Sequence, residues 1–224
     1  MKIIINEHQE TILHKQLLKE AMSDRFSFTE LKNIRSFKGR YQYCLRTLGP
    51  TQGRGSSRVI FQLSDEKILK LALNKKGIAQ NEVECDWGIQ KYDVVPEIYN
   101  ESDTDNYYYL VSEYVLPAKE QDFEHIFGFD FMTFCQCLVA FWKCYNPRGT
   151  CWIRPMDDKS LEALMDECED LNSFYYYMTD YKPPIGDMIR IDNYGMTKRS
   201  GTPQIVLLDS GLTDDVFNNY YKRY

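Results

Sequence analysis

The feature that most constrains this chain is a change of hydrophobic period at Leu48. Before it, apolar residues recur at helical spacing; after the Gly- and Ser-rich stretch Leu48–Ser57 come two apolar segments, Arg58–Leu63 and Lys67–Leu73, joined at Ser64-Asp65-Glu66. Alternating apolar residues around a short polar connection make a β-hairpin, with successive side chains on opposite faces. The glycines lead into a strand, whereas Rossmann and Walker loops lead into a helix, so both of those folds are excluded.

Around this hairpin the pattern predicts the other elements. Ile3–Ile5 reads as a short strand, and Asn6 as the cap of a helix from Glu7 to Ala21. Ser27-x-x-Glu30 is a capping box opening a second helix, which runs through Leu31 and Ile34, breaks near Gly39 and resumes towards Leu45. Ile78–Tyr92 reads as one helix, and Val94–Tyr99 and Tyr107–Val115 as two strands. From Asp122 the pattern is helical, with Phe131–Tyr145 strongly apolar and Ser160–Met178 a further helix ended by Pro183-Pro184. Two late strands, Tyr194–Thr197 and Gln204–Asp209, precede a last helix from Asp214 to Tyr221.

Composition narrows the function classes. With 224 residues the chain has room for one large domain or two lobes, and 14% aromatic content is too high for a disordered chain. A formal charge of −6 argues against a nucleic-acid backbone as partner. The sequence also lacks an apolar run of the roughly 18–20 residues that a membrane span needs. Seven cysteines without a signal-peptide pattern point to reduced thiols in the cytoplasm, and their spacing lacks the paired ligands of a zinc site.

Five segments could carry chemistry. Gly53 and Gly55 lie in the turn before the hairpin, where backbone N–H groups can approach phosphate oxygens. Lys70 alternates with Leu69 and Leu71 and faces the other side of the sheet from them. Glu82 and Glu84 point about 200° apart on their helix, so only one can face Lys70, and Glu82 is favoured. The strand Tyr107–Val115 contains Ser112, Glu113 and Val115. The segment Ile185–Gly195 contains Asp187 and Asn193, and Asp209-Ser210-Gly211 ends the last strand; hard oxygen donors there suit Mg²⁺ bound to phosphates. Each segment alone has a plain reading, as a turn, a solvated lysine, a charged helix face or a buried strand.

Taken in order, these segments resemble the protein-kinase-like superfamily over Thr47–Thr213, and within it small kinase-like proteins encoded by bacteriophages. The runs Gly-Arg-Gly-Ser-Ser-Arg, Asn-Lys-Lys-Gly-Ile-Ala-Gln-Asn and Leu-Leu-Asp-Ser-Gly carry the likeness. The resemblance implies an α+β, minimal bilobal fold: an N-terminal helical extension over 1–46, a lobe over 47–116 with a five-stranded antiparallel sheet and one helix, and a reduced helical lobe over 117–224. It implies that Gly53, Arg54, Gly55, Ser56 and Ser57 cradle the phosphates of ATP together with Lys70, which Glu82 or Glu84 positions. Ser112 would be the gatekeeper, and the backbone of Glu113 and Val115 would bind the adenine edge. Asn193 and Asp209 would hold Mg²⁺, and Asp187 would orient the acceptor hydroxyl.

The expectation is therefore an ATP- and Mg²⁺-dependent phosphotransferase acting on Ser, Thr or Tyr of a protein substrate in the host cytoplasm, associated with a virion or host protein, without nucleic acid or membrane as partner. Arg58 occupies the place of the third lid glycine. Three further departures stand against the family pattern: Ile185-Gly186 replace the His-Arg before the catalytic Asp, Asp187 lies six residues before Asn193 (193 − 187) where the family has five, and nothing resembles an Ala-Pro-Glu segment. The missing His-Arg and Arg58 in the lid favour the alternative of a pseudokinase, a binding or virion structural module of the same fold, while the retained Lys70, Asn193 and Asp209 argue against it. An unrelated α+β interaction protein is the third reading, since fold analogy alone does not fix function.

Overall fold

Ser27 accepts a hydrogen bond from the Glu30 backbone N–H and starts helix α1 (Phe28–Asn33), while Ser36 accepts from Gly39 N–H at 3.0 Å and starts α2 (Phe37–Leu48). The break expected near Gly39 therefore falls at the extended Ile34, and Gly39 lies in the first turn of α2. The computed structural model describes residues 26–199 and 201–221; the strand expected at Ile3–Ile5 and the helix at Glu7–Ala21 lie outside them.

The predicted hairpin forms the centre of an antiparallel sheet of four strands in the order β1 (Gly53–Arg54), β2 (Arg58–Gln62), β3 (Lys67–Ala72) and β4 (Tyr109–Glu113). Its register pairs Ile60 with Lys70 and Lys70 with Leu110. The fifth strand expected at Val94–Tyr99 is absent from this sheet. That segment makes a single bridge, Ile98 to Ser112, flanked by two backbone hydrogen bonds of 2.9 Å. Pro96 has no N–H to donate, and the Val94 carbonyl accepts instead from the Leu207 N–H at 2.7 Å, so the start of the segment turns away from this sheet.

The crossover from β3 to β4 carries α3 (Lys75–Glu84), whose N–H groups at Lys76 and Gly77 donate to the Asn74 side chain, and α4 (Trp87–Gln90), capped by Asp86. One helix was expected over Ile78–Tyr92; the extended backbone of Asp86 splits it in two.

A second antiparallel sheet has three strands in the order β5 (Leu116–Pro117), β6 (Tyr194–Arg199) and β7 (Thr202–Leu207). Helices α5 (Glu120–Phe127), α6 (Phe131–Tyr145), α7 (Asp158–Glu167), α8 (Glu169–Tyr181) and the short α9 (Ile185–Met188) lie between β5 and β6, and α10 (Asp214–Tyr220) follows β7. The single helix expected over Ser160–Met178 is broken at Cys168, whose backbone is extended. The architecture is thus mixed α+β, with ten helices and two antiparallel sheets among the described residues.

Two apolar clusters hold these layers together. The smaller packs Leu31, Tyr43 and Cys44 of α1 and α2 against Val59, Phe61, Leu69, Leu71 and Val111. These strand residues alternate with Ile60 and Lys70, so the opposite sheet face is left for chemistry. The larger cluster centres on Phe123, Phe127, Phe134, Phe174 and Tyr194, with neighbouring ring centroids as close as 4.8 Å. The Tyr194 hydroxyl donates to the Met188 carbonyl at 2.6 Å, which satisfies the one polar atom this ring buries.

Glu113, at the end of β4, joins the two sheets. Its carboxylate accepts from the Thr197 hydroxyl and lies 3.7 Å from the Arg199 guanidinium, which also pairs with Asp93 at 2.8 Å.

Phe134 is fully buried at the centre of the larger cluster, so Phe134→Ala should cost about 3–5 kcal/mol, read from urea unfolding midpoints, and Phe134→Leu distinctly less.

Candidate functional site

The alternation in β3 puts Lys70 on the face opposite the smaller core, and there it is 4% exposed. A buried ammonium needs a partner. It has two: Glu84 Oε2 at 2.6 Å and the Leu208 carbonyl at 2.7 Å. Of the two glutamates weighed, Glu84 makes this pair and Glu82 is exposed, which corrects the preference for Glu82. Glycine permits the close approach of the helix. A Cβ on Gly77 would lie 2.3 Å from the Ser57 carbonyl, so α3 packs against the hairpin at a distance only glycine allows, with Glu84 turned inwards.

Glu84 is shared. Its other oxygen, Oε1, lies 2.7 Å from Arg58 Nη2 and accepts from the Gly211 N–H at 3.2 Å. Burial alone would push this carboxyl up, but the charges of Arg58 and Lys70 and their hydrogen bonds outweigh it and hold Glu84 below the usual carboxylate range. Arg58 is also held by Asn81 Oδ1 at 3.2 Å and by the Asp209 carboxylate. Burial would lower its basicity, and Glu84 and Asp209 together raise it instead. Two cations and two carboxylates therefore form one continuous network.

The hairpin tip is fastened to α3. Asn74 Nδ2 donates to the Ser56 carbonyl at 3.0 Å, and the Ser57 hydroxyl donates to the Gln80 side chain. Gly53 lies opposite Ile60 and shares its face with Lys70. Gly55 closes the turn through an N–H to the Arg58 carbonyl at 2.9 Å. Arg54 does not join them. It pairs with Val59 on the other face, and its guanidinium lies 5.3 Å from the centre of the Tyr41 ring. Of the five loop residues expected to cradle phosphate, the structure brings Gly53, Gly55, Ser56 and Ser57 to the edge of the network and turns Arg54 away.

Asp209-Ser210-Gly211 is wedged between α3 and α8. A Cβ at Gly211 would fall 2.4 Å from the Gln80 carbonyl, and the Ser210 carbonyl accepts from the buried Tyr177 hydroxyl at 3.2 Å. Asp209 itself is turned outwards, with its side chain 48% exposed. Leu208 N–H donates to the Asn193 carbonyl at 2.8 Å, and Asn193 Nδ2 donates to the Asp187 carbonyl at 2.7 Å. A chain of direct hydrogen bonds thus runs from Glu84 through Lys70, Leu208 and Asn193 to Asp187. Burial, and then the charge of Asp209, pushes the Asp187 carboxyl above its ordinary value against the opposing pull of Arg190.

Asn193 and Asp209 contribute oxygen donors rather than nitrogen or sulfur. Among the described residues no group of three or more His, Cys, Asp or Glu side chains could hold an ion by itself. Asn193 spends its amide N–H on Asp187, which leaves Oδ1 as acceptor, and Asp209 offers a half-exposed carboxylate. Two hard oxygens with open positions suit Mg²⁺ that arrives with phosphates and keeps its waters.

Two cavities flank this line. One of about 250 Å³ lies under the sheet, walled by Ile60, Ile68, Val115, Pro117 and Leu208 with Lys70 at its end. Ser112 is on the same face as Lys70 and fully buried, and among the described residues its hydroxyl lacks a hydrogen-bond partner. Glu113 and Val115 line this cavity and Ser112 does not, and the Glu113 carboxylate is engaged with Thr197. The other cavity, of about 790 Å³, is bounded by Trp142, Tyr145, Lys182, Asp187, Asp214 and Phe217.

Sequence reasoning missed Arg58, Asn81 and the Leu208 carbonyl. Arg58 carried a signal, since it is two residues before Ile60 and so shares a face with Lys70. No protein-family model, curated protein or solved structure matches the chain.

Glu84→Gln leaves two buried cations short of a charge, so it should cost about 3–5 kcal/mol at pH 7, while Glu82→Gln stays within about 0.5, both read from denaturant unfolding. Asp187 gives an opposite sign. Its raised carboxyl favours the native state below the unfolded value, and that contribution is lost as pH rises through the folded value. Asp187→Asn should therefore raise the melting temperature at pH 7, and the gain should shrink on titration towards pH 4.

Proposed function

We propose that this chain is an ATP- and Mg²⁺-dependent phosphotransferase of minimal protein-kinase-like architecture. The observation that carries the reading is the buried Lys70–Glu84 pair, tied through the Leu208 carbonyl to the residue next to Asp209. A lysine fixed by a helix glutamate and set beside a metal-binding aspartate is the arrangement that phosphoryl transfer uses to hold phosphates.

The roles follow from position. The cavity lined by Ile60, Ile68, Glu113 and Val115 takes the base, and its apolar walls bury the ring. Lys70 holds phosphate oxygens while Glu84 keeps its ammonium in place, and Gly53, Ser56 and Ser57 lie at the same edge. Mg²⁺, when bound, neutralises charge on the phosphates. Asn193 and Asp209 supply its protein ligands. Asp187 borders the larger cavity and accepts the hydrogen bond of the incoming hydroxyl. Its raised carboxyl suits a proton acceptor. As the hydroxyl oxygen bonds to the γ-phosphorus, the bond to the β-bridging oxygen breaks, ADP leaves, and the hydroxyl proton passes to Asp187. The acceptor is a Ser, Thr or Tyr hydroxyl of a protein, and by the resemblance the setting is the cytoplasm of a bacteriophage host.

One observation favours a second reading, a pseudokinase that binds nucleotide without transfer. Arg58 already neutralises Asp209, the carboxylate the metal needs.

Incubation with γ-labelled ATP and Mg²⁺ separates the two. Label transfer is expected to an added protein acceptor or to the chain itself. Asp209→Asn and Asp187→Asn should each reduce it on the order of 10²-fold or more. A rise in melting temperature with Mg-ATP but without transfer would select the pseudokinase. If millimolar Mg-ATP leaves the melting temperature unchanged, both readings fall, because a ligand bound only by the native state must stabilise it.

A further inference from the structure

We propose that Arg58 is the resting counter-ion of Asp209 and that the divalent cation must displace it, so Arg58 sets the metal concentration at which the site loads. The inference rests on the phosphotransferase reading and deepens it.

Arg58 has three side-chain partners with unequal hold on it. Asn81 and Glu84 are 0% and 1% exposed, so the guanidinium is anchored inside the protein. The third, Asp209, has a side chain 48% exposed and stands on the loop after β7. The Asp209 contact is the one that can open without uncovering a buried charge. Arginine does not lose its proton in a protein, so the positive charge at this carboxylate persists at every working pH.

Charge balance gives the direction. Lys70 and Arg58 oppose Glu84 and Asp209, and the network is neutral as it stands. A divalent ion approaching Asp209 meets a guanidinium at the same carboxylate, and a double and a single positive charge a few ångströms apart repel by about 2 kcal/mol even in water. Loading therefore exchanges one cation for another at Asp209, with Arg58 still held by Asn81 and Glu84. A glycine at this position would leave Asp209 free for metal from the outset. Arg58 is thus a positioning residue that acts through Asp209, not a catalytic residue.

The test reads metal directly. Mn²⁺ is titrated by electron paramagnetic resonance at a saturating, non-hydrolysable ATP analogue, and half-saturation is compared between wild type and Arg58→Gln. Glutamine keeps a hydrogen-bonding amide and removes the charge. Half-saturating Mn²⁺ should fall at least about tenfold, the effect of removing a unit charge a few ångströms from the ion. Arg58→Lys keeps the charge and should stay near wild type, a split that a purely structural role would not produce. Should Arg58→Gln fail to fold, Arg58→Met carries the same expectation. Half-saturation that is unchanged or raised in the charge-free variant overturns the counter-ion role while leaving the phosphotransferase reading intact. Absence of Mn²⁺–nucleotide binding in the wild type overturns both.

Discussion

A single buried carboxylate organises this protein. Glu84 receives Lys70 on one oxygen and Arg58 and the Gly211 N–H on the other, which brings β2, β3, α3 and the loop after β7 to one point. Burying such a charge is costly unless its partners surround it, and breaking a buried pair costs more than the pair contributes. The elements that supply the partners are therefore constrained together. Gly77 and Gly211 show this constraint from the backbone side: each sits where a Cβ would strike a carbonyl, one on the hairpin and one on α3.

The parts of the fold that were legible in the sequence are those set by local periodicity. Arg58–Leu73 alternates and forms the hairpin, and Phe131–Tyr145 repeats at helical spacing and forms α6 within the same bounds. The parts that were not legible depend on tertiary placement. Val94–Tyr99 has strand-like composition, yet Pro96 and the bond from the Leu207 N–H to the Val94 carbonyl leave it a single bridge. Ser160–Met178 has no proline or glycine to mark the extended Cys168 that divides it.

The site divides in the same way. Lys70, Asp187, Asn193 and Asp209 could be proposed from residue type and order, and they lie along one run of hydrogen bonds. The choice between Glu82 and Glu84 needed the rotation of α3, which buries Gly77 against Ser57 and Glu84 beside Lys70 and leaves Glu82 exposed. Arg54 lay in the expected cradle by sequence, but strand pairing with Val59 puts it over Tyr41 instead. Arg58 looked like a departure from a glycine pattern; strand alternation put it on the face of Lys70, and the fold adds its contacts with Glu84 and Asp209.

Helix α3 has one more consequence. Its first turn holds the hairpin tip through Asn74, its middle presses on Gly211 through Gln80, and its last residue carries Glu84. The hairpin turn, the lysine and the loop bearing Asp209 thus rest on a single support three turns long. A shift of that support therefore moves all of them. Assembly of the site is in this sense all-or-none, and whatever steadies or tilts α3 governs every one of its parts at once.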